Sequence, residues 1–204
     1  PAGCWHDHGN DGGEPVVWLD GLDIPMIGLL DASFVEHHPD HVQSVTRPSG
    51  DSLARYGSGL LPVNYDASVS SSPLFHYPYA RTIDALNRLR QSGEIDPCHG
   101  LKFVFVNPAT GGPVIPGIEA FVQGLQANTT TEAYRATDAT VFSVISGNGR
   151  MHLDDRVFEW SEHDTFVVPS WCRYQLESLN EGVLFGFSDR PLQRYLGVLR
   201  EERG

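Results

Sequence analysis

The chain has 204 residues, 40% of them hydrophobic, and carries 14 basic against 26 acidic side chains, for a net charge of −12. This length is enough for one or two domains with a buried core. The acidic balance argues against a nucleic-acid or anionic-membrane partner, because both require a basic surface. No apolar run is long enough to cross a bilayer. The three cysteines, Cys4, Cys98 and Cys172, lack zinc-type spacing and are expected as reduced thiols of a cytoplasmic protein.

The chain divides into three predicted parts. The 14 prolines and 21 glycines favour short strands and turns, so we expect an all-β dominated fold. Residues 1–35 contain the β-prone run Val16-Val-Trp-Leu19 and predict the last strands of a barrel. Residues 36–100 predict a mostly irregular linker with one helix over 80–91, capped by Gly93. His37, His38 and His41 within it indicate an exposed turn rather than a metal site.

Residues 101–204 predict a second β-rich unit. Turn signals at Gly147-Asn-Gly149 and Asp154-Asp155 separate its strands. The predicted strands cover 102–107, 141–145, 150–153, 157–160, 165–168 and 183–187. A C-terminal amphipathic helix over 191–202 would place Leu192, Tyr195, Leu196 and Leu199 on one face, for packing rather than for function.

The N-terminus carries the pattern P-x-G-x-x-H-x-x-x-N in Pro1, Gly3, His6 and Asn10. This spacing resembles the end of the second sequence motif of a cupin barrel, in which the histidine binds a metal. On a strand, His6 and His8 would point to the same side, since side chains alternate. The pair could chelate one ion or could be polar residues near a rim. An imidazole suits Fe(II), Mn(II), Ni(II) and Zn(II) alike, so it does not choose the metal.

Longer strings extend the resemblance over essentially the whole chain. They are WHDHGNDG (5–12), WLDGLD (18–23), GDSLARYG (50–57), YPYAR (77–81), VNPATGGP (106–113) and SDRP (188–191). With these strings the sequence resembles the gentisate 1,2-dioxygenases, a family that includes salicylate and 1-hydroxy-2-naphthoate dioxygenases. The resemblance implies a bicupin, usually a homotetramer. We therefore expect a cupin (jelly-roll) barrel, the last strands of a preceding cupin barrel, a connecting helix and a C-terminal helix.

The resemblance also implies a site and a reaction. His6 would be the third histidine ligand of Fe(II) in the first barrel, and His8 would orient substrate or move a proton. Asp20 would be a polar partner in that pocket or, equally, a simple strand-end carboxylate. The implied reaction opens the ring of gentisate with O2, between the carboxylate-bearing carbon and its hydroxylated neighbour, to give maleylpyruvate.

Two departures from the family pattern bear on activity. The H-x-H of the first barrel would lie before residue 1, in an N-terminal cupin portion, so we expect the chain by itself to be inactive. In the second barrel, Tyr134, Ala136, Thr140 and Tyr174 stand where cupin ligands belong, and Ser178 replaces an asparagine. We therefore expect that barrel to be structural and free of metal.

Other polar residues of the second unit are assigned more modest roles. His152 and His163 are expected in a strand and a turn, and Arg135 on the barrel interior, where it could anchor an anion.

Two other functions remain open. A non-catalytic cupin module for aromatic-acid binding or assembly is favoured by the empty second barrel, although the intact N-terminal pattern opposes it. A cupin isomerase or another metal enzyme is opposed by the long shared strings.

Overall fold

The computed structural model describes residues 4–40, 42–66, 68 and 70–204. The helices are α1 (Ile24–Leu29), α2 (Asp51–Tyr56), α3 (Tyr79–Ser92) and α4 (Arg190–Tyr195). The strands are β1 (Leu101–Val104), β2 (Glu119–Leu125), β3 (Thr129–Thr130), β4 (Tyr134–Ala136), β5 (Thr140–Ser146), β6 (Asn148–Leu153), β7 (Arg156–Ser161), β8 (Thr165–Val168), β9 (Tyr174–Ser178), β10 (Gly182–Ser188) and β11 (Glu201–Arg203). None of the helices in these ranges is long and apolar enough to cross a membrane.

The strands form two antiparallel sheets that enclose one core. One sheet has the order β1-β2-β10-β5-β8, and the other follows β11-β4-β9-β6-β7, with β3 also paired to β9. Strict alternation along β10 buries Leu184 and Gly186 toward the second sheet, while Val183 and Phe185 point outward. The side chains between the sheets are Phe121, Leu125, Phe142, Val144, Met151, Trp160, Tyr174, Leu176 and Leu184, together with smaller neighbours. The all-β dominated prediction is confirmed.

Helix α3 covers the outer face of the first sheet. Leu86 packs there against Leu101 and Val122, and Ile83 and Leu89 flank this contact. Gly93 ends the helix with φ of 76°, a left-handed conformation that glycine adopts without a Cβ clash. The predicted helix over 80–91 is confirmed, with one further residue at each end.

The six predicted strands of the second unit are all present, but several strands were missed. The most important is β2, a seven-residue strand buried on both faces, whose Glu119, Gln123 and Gly124 hide its β character from a hydrophobicity pattern. β9 lies between β4 and β6 and was also not predicted. The short strands β3, β4 and β11 exist only because a distant partner pairs with them.

The structure describes no strand within residues 4–35, where the sequence predicts the last strands of a preceding barrel. Residues 4–23 have no regular secondary structure, and residues 24–29 form α1. Val16 and Val17 are exposed, and no described strand pairs with this segment. A strand is stabilised by hydrogen bonds to a neighbouring strand and by a buried face, and this run has neither here.

The C-terminal helix is shorter than the predicted 191–202. α4 ends at Tyr195 because Gly197 takes a φ of 71°, and residues 201–203 pair with β4 as β11. Tyr195 is 88% exposed and Leu196 60%, so the predicted packing face is not buried. Pairing with β4 satisfies the backbone of the last residues in a way that a continued helix could not.

Candidate functional site

The two N-terminal histidines lie side by side although they are not on a strand. The ring centroids of His6 and His8 are 5.7 Å apart, with the planes 87° from parallel, and both side chains are exposed. His8 stacks flat on the indole of Trp18, at 4.9 Å between centroids and 8° between planes. The two imidazoles therefore lie close together, as predicted. His8 is held in place by its stacking on Trp18 and not by a β-strand.

Short-range hydrogen bonds shape the loop that brings Trp18 back to His8. The side-chain oxygen of Asn10 accepts from the Gly12 amide at 2.9 Å, and its amide nitrogen donates to the Glu14 carbonyl at 2.8 Å. An asparagine that bonds the backbone two residues on is a turn former. Asp7 faces elsewhere, because its carboxylate accepts from the Gln43 amide at 3.0 Å. Asn10, a residue of the P-x-G-x-x-H-x-x-x-N pattern, therefore stabilises this loop.

Asp20 follows Trp18 by two residues and is exposed. Its carboxylate makes no hydrogen bond or ion pair to any residue within the described ranges. The backbone beside it rests on the second unit: a Cβ placed on Gly21 would lie 3.2 Å from the Phe187 ring. Gly117 lies as close to Asp23 and Met26. The outer face of the first sheet therefore fixes the segment that carries Asp20.

His6 and His8 are the candidate metal-site residues in the described part of the chain. In that part, no group of three or more His, Cys, Asp or Glu side chains could hold an ion. His6 and His8 supply two exposed imidazoles, a donor type that suits Fe(II) and other divalent transition metals. These residues fit the histidine contribution to an Fe(II) site, and the remaining ligands would have to come from elsewhere. Pro1 and Gly3 of the pattern lie outside the described residues.

Of the other histidines singled out from the sequence, those that the structure describes do not extend this site. His37 is exposed, His38 accepts a hydrogen bond from the Asp40 amide at 3.1 Å, and His41 lies outside the described residues. His152 in β6 is 3.1 Å from the Glu177 carboxylate, and His163 occupies a turn with φ of 73°. The loop, strand and turn positions predicted for His38, His152 and His163 are confirmed.

Two of the positions in the second unit where the sequence predicts no cupin ligand hold packed aromatic rings. Tyr134, Ala136 and Tyr174 point into the barrel and are buried, with the two tyrosine rings 5.8 Å apart. Phe142 packs on Tyr174 at 6.1 Å. Burial raises the pKa of both tyrosines well above the usual range, so these phenols are neutral at physiological pH. The interior is a hydrophobic core at this level.

Arg135 is not on the barrel interior, and this prediction is wrong. Alternation along β4 turns Tyr134 and Ala136 inward and Arg135 outward. Its Nε donates to the Glu202 carboxylate at 3.1 Å, and its guanidinium lies 4.5 Å from the Trp171 ring. The side chain therefore joins β4 to β11 and is not available to anchor an anion within the barrel.

Two polar groupings in the structure were not predicted from the sequence. Arg190 bonds the buried Asp138 at 3.2 Å and the Tyr134 hydroxyl at 3.0 Å, and it also pairs with Glu201. The other grouping is a cleft of about 770 Å³ around the GDSLARYG string, where Arg47 and Arg55 both bond Asp51 and hold the pKa of its carboxyl below the usual range.

Comparisons with known proteins identify relatives along the whole chain. No protein-family model matches it. It is 49% identical over 203 residues to gentisate 1,2 dioxygenase 1 of Aquipseudomonas alcaligenes, covering 100% of this chain and 58% of that protein. It is 35% identical to 5-aminosalicylate 1,2-dioxygenase of Comamonas sp, covering 99% and 54%. The chain thus spans a little over half the length of these curated relatives.

A solved structure shows the same architecture. Salicylate 1,2-dioxygenase from Pseudoaminobacter salicylatoxidans, as its adduct with gentisate, superposes with a TM-score of 0.82 at 30% identity, covering 89% of this chain and 51% of that one. The predicted cupin fold is confirmed by this match and by the two antiparallel sheets. Along its whole length, the chain is similar to the C-terminal part of gentisate 1,2-dioxygenases.

Proposed function

We propose that the protein is an Fe(II)-dependent dioxygenase that opens the ring of a hydroxylated aromatic carboxylate of the gentisate or salicylate type. The observation that carries the proposal is the paired His6 and His8, held by Trp18, in a chain related over its whole length to a gentisate dioxygenase. With gentisate, the bond between the carboxylate-bearing carbon and its hydroxylated neighbour would break, both atoms of O2 would enter the product, and maleylpyruvate would form.

The residues of this chain have distinct proposed roles. His6 is a metal ligand through one imidazole nitrogen. When bound, Fe(II) supplies a redox-active centre at which an aromatic ring and O2 can exchange electrons. His8 presents its nitrogens at the ring edge, since its face is covered by Trp18, and can hold or move a proton of the substrate hydroxyl. Asp20 has no partner in the described part of the chain and is a candidate for a polar contact in the same pocket.

The rest of the site is proposed to come from the part of the family that this chain does not match. Residues 1–35 would belong with the metal-binding barrel, residues 36–100 would link the two barrels, and residues 101–204 would form a structural barrel. On this proposal the 204-residue chain alone is inactive and needs its N-terminal cupin portion. A cytoplasmic homotetramer is the proposed assembly.

The other candidate is a non-catalytic cupin module, favoured by the aromatic packing of Tyr134 and Tyr174 where ligands would stand. Oxygen uptake by the full-length protein on addition of gentisate separates the two. The dioxygenase proposal predicts one O2 consumed per ring opened and loss of this uptake in His6→Ala. The matched control is His163→Ala, which changes an exposed histidine of the second barrel and should keep full activity. Gentisate binding without oxygen uptake would support the module instead.

A further inference from the structure

A turn of the chain lies against the back of the segment that carries the paired histidines. Pro39 and Asp40 form this turn, and the Asp40 amide donates a hydrogen bond to Nδ1 of His38 at 3.1 Å. Proline fixes φ, and aspartate is a frequent turn residue, so the sequence favours a turn here. We call the described residues between 38 and 43 the linker turn. From the sequence, this histidine-rich stretch was expected only to be an exposed turn.

Two side chains of the N-terminal segment contact the linker turn. The Asp7 carboxylate accepts a hydrogen bond from the Gln43 amide at 3.0 Å, across 36 positions of the chain. The ring of Trp5 meets that of His38 edge to face, with 5.3 Å between the centroids and 90° between the planes. Aromatic pairs favour this arrangement, and a hydrogen bond to a carboxylate is stronger than one between neutral groups. These contacts fasten the N-terminal segment to a part of the chain that is distant in sequence.

The two contacts alternate along the chain with the two histidines. Trp5 and Asp7 face the linker turn. The rings of His6 and His8 face each other instead, 5.7 Å apart. Residues 4–23 have no regular secondary structure, so neither a strand nor a helix imposes this division of the side chains. In the described part of the chain, the backbone between the two imidazoles is therefore held by the bond from Asp7 to the linker turn.

We propose that Asp7 is a positioning residue for the metal site. By fastening the backbone between His6 and His8 to the Gln43 amide, its carboxylate fixes the direction in which both imidazoles point. A ligand that is already oriented loses less conformational freedom when it binds. Residues beyond the direct ligands change metal affinity in this way. The inference rests on the proposed function, because it takes His6 as a ligand of Fe(II).

The geometry makes Asp7 a hydrogen-bond acceptor rather than a source of charge. Asparagine at this position keeps a side-chain oxygen that can accept, whereas alanine leaves the Gln43 amide without its partner. If the negative charge attracted the metal ion, both substitutions would weaken binding. Asp11 is the control for charge, because it lies four positions along the same exposed segment and its carboxylate has no hydrogen bond or ion pair within the described residues.

The Fe(II) affinity of the full-length protein, measured without oxygen by competition with a coloured chelator, tests the proposal. Asp7→Ala should raise the dissociation constant at least about threefold, whereas Asp7→Asn should stay within about twofold of wild type. Asp11→Ala should also stay within about twofold, since an exposed charge is screened by salt. At saturating Fe(II), kcat with gentisate should fall in Asp7→Ala, because His8 is less well oriented, and recover in Asp7→Asn.

Hydrogen exchange in the metal-free, full-length protein tests the contact itself. The peptide that contains Gln43 should exchange faster in Asp7→Ala than in wild type, and Asp7→Asn should restore the protection. The melting temperature should be the same in all three proteins, because the bond is exposed and joins residues outside the core.

Unchanged Fe(II) affinity in Asp7→Ala would overturn the proposal, and so would an affinity as weak in Asp7→Asn as in Asp7→Ala. Equal exchange of the Gln43 peptide in wild type and Asp7→Ala would show that the bond does not hold the segment. A wild-type protein that binds no Fe(II) and consumes no oxygen would overturn the proposed function as well. Failure of the proposed function therefore appears already in wild type, whereas failure of this inference alone appears only in the comparison with the variants.

Discussion

The imidazole of His8 lies flat on the indole of Trp18, with 4.9 Å between the ring centroids and 8° between the planes. The contact joins the two ends of the loop that Asn10 closes by bonding Gly12 and Glu14. It leaves the edge of the His8 ring, where both nitrogens lie, free to meet a ligand. In the proposed enzyme, Trp18 therefore acts as a positioning residue for the proton-handling imidazole.

Replacing Trp18 tests this positioning role. In the full-length protein, Trp18→Ala removes a stack worth about 1 kcal/mol, so we expect kcat with gentisate to fall about threefold to tenfold. Iron content should stay the same, because His6 does not depend on the stack. Trp18→Phe keeps an aromatic face and should restore most of kcat. Loss of iron in Trp18→Ala would show that the residue supports the fold of the site rather than the orientation of His8.

The cluster at Arg190 should contribute strongly to the stability of the second barrel. The Arg190 side chain is 15% exposed and that of Asp138 is 6% exposed, so Arg190→Met leaves the buried Asp138 carboxylate without its cationic partner. We expect a loss of about 3 kcal/mol in the free energy of unfolding by urea. Arg88→Met, which removes the exposed pair with Asp84, should change stability by less than about 1 kcal/mol. Equal effects of the two substitutions would contradict this account.

Gly186 lies directly against the ring of Phe121 in the core. A Cβ at this position would lie 2.3 Å from Cζ of Phe121, so the ring would have to move out of its packed position. We expect Gly186→Ala to destabilise the protein by at least about 2 kcal/mol in thermal or urea unfolding. Gly13→Ala is the matched control, because a Cβ there meets no atom within 4 Å. A neutral effect of Gly186→Ala would mean that Phe121 does not occupy the observed position.

Stability should fall in acid because of His99. Burial lowers its folded-state pKa to about 3 from an ordinary 6.5, so the unfolded chain binds more protons between these values. The contribution of the neutral ring is complete above pH 6.5 and is lost as pH falls toward 3. The midpoint of urea unfolding should decrease over this window, and His99→Gln should flatten the decrease. His163→Gln, at an exposed turn, should leave the profile unchanged. A wild-type profile that is flat from pH 6.5 to 4 would contradict a buried neutral His99.

The sequence predicted those elements that a local pattern specifies. Helix α3 followed from its spacing and Gly93, and β8 from its β-branched run between turns. β2 was missed because Gln123 and Gly124 are buried for reasons that only the packed sheets reveal. β11 replaced part of a predicted helix because pairing with β4, more than sixty residues earlier, is not visible in local periodicity.

The candidate site was predictable only in part. The adjacency of His6 and His8 followed from their spacing, although a turn and a stack, not a strand, produce it. Trp18 reaches His8 only because Asn10 closes the loop between them. Phe187 contacts Gly21 only through tertiary packing. Neither contact could be derived from sequence spacing. Arg135 was misplaced because the boundary of β4, and with it the alternation, was unknown.

The central claim is that His6 holds the metal while His8 acts beside it. Iron content per chain, measured on the full-length protein with His6→Ala and with His8→Ala, tests this division most directly. The account predicts that His6→Ala loses bound iron, whereas His8→Ala keeps it and loses turnover. Full iron occupancy in His6→Ala, or equal loss of iron in both variants, would contradict it.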